Sequence, residues 1–252
     1  MNEFAAEPLA EDALLLRFGD SIDPRVNSRV HAAAARLRAA HLAEVGEIAP
    51  SYASLLLRFD PLAWSDAGGT PHARLLAAID PVLHGMEIDS ARGPQTRVVE
   101  IPVCYGGEFG PDLSDIAKHV RLDAQEFAAR HAAAEYTVAM LGFAPGFPYL
   151  IGLDPALHAP RRTSPRTRVP AGSVAIGGAQ TGIYPRELPG GWQIIGRTPS
   201  VLFDPRRESP CLLAPGDRVR FRAVENAGFH ALSERSGHGP PLPDSGDQGW
   251  SQ

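Results

Sequence analysis

Between Arg161 and Arg197 the chain carries six arginines against a single acid, Glu187, a local balance of +5 in a protein whose formal net charge is −5. Four of them, Arg161, Arg162, Arg166 and Arg168, stand among prolines that restrict their backbone. A guanidinium presents a planar fork of donors that suits a carboxylate or a phosphate better than an ammonium does. Arg162 and Arg166 are therefore candidate catalytic groups acting on an anion. A solvated basic loop, or ion pairs to acids of the N-terminal region, is the competing reading.

These arginines lie in or next to a stretch, Gly142 to Trp192, in which 17 of 51 residues are Gly or Pro. A linker of that composition would be polar, but this one interleaves aromatic residues. Glycine lets backbone and ligand approach closely, proline fixes turns, and aromatic rings wall an apolar pocket that needs few polar groups. Phe143, Pro145, Gly146, Phe147, Gln180, Tyr184, Gly190, Gly191 and Trp192 are the candidate substrate- or nucleotide-binding residues. Gln180 would donate and accept through one amide and Tyr184 through a hydroxyl. The pattern predicts that Arg162 and Arg166 share a concave surface with Phe147, Gln180 and Tyr184. His131, near the end of the helical stretch DAQEFAARHAAAEY, is a third catalytic candidate, because a helix C-terminus raises imidazole basicity and suits proton transfer. A histidine that only caps carbonyls is the alternative.

Other chemistries are disfavoured. Lys118 is the only lysine among 24 basic residues, so a Schiff-base lysine is improbable, and no G-x-x-x-x-G-K-[ST] loop occurs. Nine scattered histidines form no H-E-x-x-H pair, and no metal site is expected. Ser173 is not in a nucleophile elbow. Cys104 and Cys211 do not make a disulfide framework, which makes the cytoplasm the default compartment. The negative charge argues against nucleic acid as a partner, no apolar run suits a membrane span, and the start MNEFAAEPLAED is acidic rather than signal-like.

The elements that must position these residues form an α+β chain. Strands are predicted at Ala13 to Phe18, Val45 to Pro50, Tyr52 to Phe59 and Arg97 to Val103, with helices at Asp23 to His41 and Thr70 to Leu83. Their order, β-α-β-β-α-β, is the ferredoxin-like pattern and predicts an N-terminal domain of residues 1–92, ended by the turn-rich SARGP at Ser90 to Pro94. Pro81 is expected to end or kink the second helix. Two short helices, Pro111 to Val120 and Asp123 to Ala133, follow. The runs TVAMLGF, SVAIGG, WQIIGRT, SVLFD and DRVRFRAV then alternate with turns, which predicts a β-barrel domain over 93–225. Residues 226–252, rich in Ser, Gly and Pro, read as a disordered tail.

GFAPGFPYL, the PRR and PR turns, PAGSVAIGGAQTGIYP and PGGWQIIGRTP resemble the family of 5-oxoprolinase B subunits, also called KipI or allophanate hydrolase subunit 1. IPVCYGGEFGPDL upstream and LLAPGDRVRF downstream extend the likeness over Ile101 to Phe221. The resemblance implies a ferredoxin-like domain followed by a cyclophilin-like β-barrel, and a histidine placed as His131 is. It implies one component of a cytoplasmic ATP-dependent 5-oxoprolinase, with ATP (and Mg) as co-substrate. The implied partners are the homologous C subunit, which is KipA-like, and the A subunit, which is LamB/YcsF-like. Two rivals are the acceptor-side module of a urea carboxylase-type carboxyltransferase and an inhibitor of a histidine kinase. The chain has no biotin-attachment A-M-K-M segment.

Overall fold

A computed structural model describes residues 4–65, 68–85 and 97–235. In the N-terminal unit, β1 (Ala5–Ala10) and β2 (Ala13–Arg17) form a hairpin that leads into α1 (Pro24–Ala40), β3 (Val45–Pro50), β4 (Ser54–Phe59) and α2 (Pro71–Leu83). Local chemistry sets these bounds. The Asp23 carboxylate accepts from the Arg25 and Val26 amides at the start of α1, Pro24 fills the first helical turn, and His41 ends the helix in the left-handed region at φ 46°. Thr70 caps α2 in the same way, through the Ala73 amide.

The four strands pair antiparallel in the order β1-β2-β4-β3. Val30, Ala33, Ala34 and Leu37 on α1, and Leu75, Ile79 and Leu83 on α2, repeat every three or four residues. Both stripes bury against Leu14, Leu16, Leu55 and Leu57 of the central strands. α2 runs through Pro81 and stops two residues later, close to the expected end.

β5 (Val98–Tyr105) opens the barrel and is followed by α3 (Leu113–His119) and α4 (Ala124–Ala133), the latter started by Asp123 accepting from the Glu126 amide. The remaining strands are β6 (Glu135–Leu141), β7 (Pro148–Ile151), β8 (Arg166–Val169), β9 (Ser173–Gly177), β10 (Gln180–Ile183), β11 (Leu188–Gly190), β12 (Gln193–Arg197) and β13 (Arg218–Ala223). Seven of them close a barrel in the order β10-β7-β6-β13-β5-β12-β9, while β8 and β11 form a separate ribbon. Among the described residues, only β13 and β5 run parallel. The interior is filled by residues such as Ile101, Val103, Phe127, Tyr136, Ile176 and Phe221.

Three expectations differ from this arrangement. The Arg97–Val103 strand does not complete the N-terminal sheet but pairs with β12 and β13 in the barrel. The fourth N-terminal strand is β1, giving the order β-β-α-β-β-α. Its sequence AAEPLA is mostly exposed and carries Pro8, so it lacks the alternation of a half-buried strand, as tolerated at a sheet edge. SVLFD forms only an isolated bridge, Phe203 to Cys211. The expected tail begins as a helix, α5 (Asn226–Arg235), because Phe229 buries against Cys104 and Phe109. The expected boundary at Ser90 to Pro94, and the tail beyond Arg235, lie outside the described residues.

Candidate functional site

The Gly/Pro-rich stretch resolves into three groups of side chains. The first is built around Asp112, which the chain delivers beside β12. Gly110 makes that approach possible: a Cβ there would lie 2.1 Å from the Ile195 carbonyl oxygen. The Asp112 carboxylate then accepts from the Ile194 amide at 2.7 Å, from Arg166 Nη1 and Nη2 at 2.8 and 2.7 Å, and from Arg162 Nη1 at 3.2 Å. Its side chain is 9% exposed, against 25% for Arg166 and 33% for Arg162. The two predicted arginines are thus brought together, but around an internal carboxylate that already takes the bidentate fork of Arg166. One carboxylate against two guanidiniums leaves a single net positive charge. Sequence reasoning missed Asp112, although it stands in the motif IPVCYGGEFGPDL, directly after the paired Gly110-Pro111.

The second group is aromatic. Phe147, Tyr184 and Trp192 are buried; Phe147 meets Tyr184 at 5.2 Å and Trp192 at 5.9 Å between ring centroids, both edge to face. Tyr149 closes the cluster at 4.9 Å from Phe147 and 5.8 Å from Trp192. Gly190 stands opposite Arg166 across the β8–β11 ribbon, and a Cβ on it would strike the Tyr184 hydroxyl at 2.1 Å. Burial pushes the Tyr184 phenol up, while the Trp192 backbone amide and Arg161 and Arg166 pull it down by smaller amounts. Arg166, Gly190, Tyr184, Phe147 and Trp192 are therefore neighbours. Gly191 lies beside them, its carbonyl accepting from the Arg162 amide at 2.7 Å.

The loop before β7 flanks this cluster. Phe143 is 60% exposed and adopts φ 65°, its ring edge on Phe147 at 5.5 Å. Pro145 is exposed, and Gly146, with φ 78°, packs tightly against Phe203. Gln180 is buried at the start of β10, opposite Gly177. The two cavities described in the molecule lie elsewhere: one of about 410 Å³ beside Leu37, His41 and Ile48, and one of about 660 Å³ beside Cys104, Phe109, Gln125 and Val224. Neither is lined by the concave set that the sequence predicts.

The third group is His131, which is 0% exposed inside the barrel rather than at the surface. Its Nδ1 faces the Tyr105 hydroxyl at 2.8 Å and its Nε2 the Thr181 hydroxyl at 3.0 Å. Thr181 gives its own proton to the Ala175 carbonyl at 3.0 Å, so it must accept from Nε2–H, and Nδ1 must accept from Tyr105. The partners thus fix one neutral tautomer, and the ring stacks on Phe221 at 4.8 Å. Burial pulls its pKa down to about 3, opposite to the rise expected from a helix C-terminus. The structure does not bring His131 together with the arginines. Barrel closure places it among Tyr105, Tyr136, Thr181 and Phe221, where it joins two strands and a helix.

The family model for carboxyltransferase domain, subdomain C and D, matches residues 4–213. The 5-oxoprolinase B subunit of Bacillus subtilis (strain 168) is 42% identical over 237 residues, which cover 92% of this chain and 98% of the relative. The chain belongs to the 5-oxoprolinase B-subunit family. The B subunit from Escherichia coli O157:H7 is 52% identical over 151 residues, 60% of this chain and 69% of that one. The solved structure of TTHA0988 matches with a TM-score of 0.71 and 39% identity, over 85% of this chain but 40% of its own length. This 5-oxoprolinase family member therefore spans about two fifths of that longer polypeptide. Among its described residues no helix is long and apolar enough to cross a membrane, and no group of three or more His, Cys, Asp or Glu is arranged to hold a metal ion.

Proposed function

We propose that the chain is one component of an ATP-dependent 5-oxoprolinase which, with its C and A subunits, opens 5-oxo-L-proline to L-glutamate in the cytoplasm. The observation that carries this reading is the 42% identity to a 5-oxoprolinase B subunit over almost the full length of both chains. On this reading the N-terminal unit is a rearranged ferredoxin-like domain and the closed barrel is of the cyclophilin-like class. A lactam carbonyl is a poor electrophile and its oxygen a poor leaving group. Transfer of the ATP γ-phosphoryl group to that oxygen, releasing ADP, activates the carbon. Water adds to it, the C–N bond breaks with the nitrogen leaving as a protonated amine, and hydrolysis of the resulting acyl phosphate releases phosphate and L-glutamate. Such transfer depends on positioning and charge neutralisation, for which Arg162 and Arg166 are the candidates in this chain. Since Asp112 takes part of their charge and there is no P-loop lysine, this chain supplies part of an anion site and the KipA-like partner the rest. The longer TTHA0988 polypeptide, of which this chain matches 40%, supports a reading in which a second partner half completes the unit.

The test is to co-express the chain with the C and A subunits of 5-oxoprolinase and to follow glutamate formation and ATP hydrolysis with 5-oxo-L-proline. The expected result is coupled turnover in the complex and almost none from the chain alone. A complex without turnover, or full activity in the isolated chain, refutes the proposal.

A further inference from the structure

The cavity of about 660 Å³ beside Cys104 takes no part in the arginine site, since none of Asp112, Arg162 and Arg166 lines it. Three pieces of local structure shape it. Gly106 and Gly107 take left-handed φ values of 70° and 53°, a turn that leaves Glu108 exposed and returns Phe109 to the interior. The Phe109 and Gly110 amides both donate to the Gly106 carbonyl, at 3.0 and 2.9 Å, and fix that turn. From α4 come Ala128 and Ala129, two methyl side chains where larger ones would fill the space. The third piece is the entry into α5, held where the Val224 amide donates to the Val103 carbonyl at 2.9 Å and Phe229 packs on Phe109 at 4.5 Å between centroids.

The walls are mostly apolar, and the charges among the lining residues are of one sign. Cys104 is 6% exposed, and its thiol makes no hydrogen bond with a described residue. Burial, and then Glu108, push its pKa up, so it lines the cavity as a neutral group. Glu108 and Glu225 are exposed lining residues, and neither forms an ion pair among the described residues. No Lys, Arg or His lines the cavity. Arg197 feels the Glu108 charge, but its Nε donates to the Ala171 carbonyl at 2.8 Å. The start of α5 adds a partial positive charge of about half a unit, which the full charge of Glu225 beside it exceeds. A cavity of this volume takes a small organic molecule, and apolar walls with two free carboxylates suit one with an apolar body and a positive head.

We propose that this cavity binds an alkylammonium ion, a primary amine carried on an apolar chain. The chain lies against Cys104, Phe109, Ala129 and Val224, and the ammonium donates to the carboxylates of Glu108 and Glu225. The side-chain amides of Gln125 and Asn226, which also line the cavity, add neutral acceptors for its remaining protons. The site does not depend on the function proposed above.

The experiment is titration calorimetry of the full chain at low salt, with hexylammonium, hexanol and hexanoate as probes that share a chain and differ in charge. Hexylammonium should bind most tightly and hexanoate least. Glu108→Gln and Glu225→Gln should each weaken hexylammonium by roughly two- to fivefold, the range for one exposed ion pair, and leave hexanol unchanged. Each CH₂ added from butylammonium to hexylammonium should tighten binding by up to roughly fourfold as it is buried. Ala129→Phe, at an exposed position of α4, fills the space and should abolish binding while the melting temperature stays near that of wild type. No heat of binding with hexylammonium, or hexanol or hexanoate binding as tightly, overturns the assignment of a cation. Unchanged hexylammonium affinity in both glutamine variants, or in a folded Ala129→Phe, overturns the site.

Discussion

Replacing Asp112 by asparagine preserves the outline of the side chain and removes its charge. In the wild type the carboxylate accepts from one backbone amide and three guanidinium N–H groups, all between 2.7 and 3.2 Å. Asparagine has one acceptor oxygen, and its NH₂ would face guanidinium donors. Breaking a buried ion pair by removing one partner costs about 3–5 kcal/mol. The arginines are 25% and 33% exposed, so water relieves part of that loss and the low end, about 3 kcal/mol, applies. For a chain of this size each kcal/mol moves the melting temperature by about 2–4 °C, so Asp112→Asn should melt roughly 6–12 °C below wild type. The variant also frees a second positive charge, and an anion that binds only the folded state stabilises it by mass action. Added phosphate should therefore raise the melting temperature of Asp112→Asn more than that of wild type. The assay is calorimetric melting at fixed pH with and without phosphate. An Asp112→Asn protein that melts within about 2 °C of wild type, or that gains no more from phosphate, would refute the view that Asp112 commits the two arginines.

Two further outcomes follow from the half-buried His31 and the buried His131. His31, at the contact between α1 and β6, has its pKa lowered to about 4, first by burial and then by Arg38, and His131 is lowered to about 3 by burial. Both bind a proton in the unfolded chain near pH 6.5 but not in the fold. Their contribution is complete above about pH 6.5, and stability should fall as pH drops from there towards 4, by up to about 1.4 kcal/mol per pH unit for each histidine. Melts from pH 7 to 5 check this, and a flat profile would count against it. His131→Ala should lower stability by about 3–5 kcal/mol, since it opens a hole beside Phe221 and leaves Tyr105 and Thr181 without their partner. Denaturant unfolding reads that loss; a normally stable variant with reduced turnover in the complex would instead restore the proton-transfer role.

What the sequence determined by itself was local. Asp23-Pro24 and Thr70-Pro71 start helices because a cap and a pre-set φ act within one turn, and they do so in the structure. The spacing of Val26, Val30, Ala33 and Leu37 marks one face of the first helix, which is the face that packs on the core, because helical periodicity is a property of neighbours along the chain. The turn-rich alternation after Tyr136 announced a β-rich unit for the same reason.

Tertiary structure alone decided where these pieces go. A strand pattern at Arg97 to Val103 says that the residues extend, not which sheet accepts them, and the parallel partner β13 lies more than a hundred residues onward. β1 could not be read, because an exposed edge strand has no hydrophobic alternation to read. The arginines were legible as a cluster of charge, but their fate was not. Asp112 reaches Arg162 from fifty residues upstream through a glycine that lets two backbones nearly touch, and no spacing rule encodes that contact. His131 had the sequence surroundings of a helix end. Closure of the barrel made it a neutral, hydrogen-bonded core residue, because burial outweighs the helix dipole once water is removed.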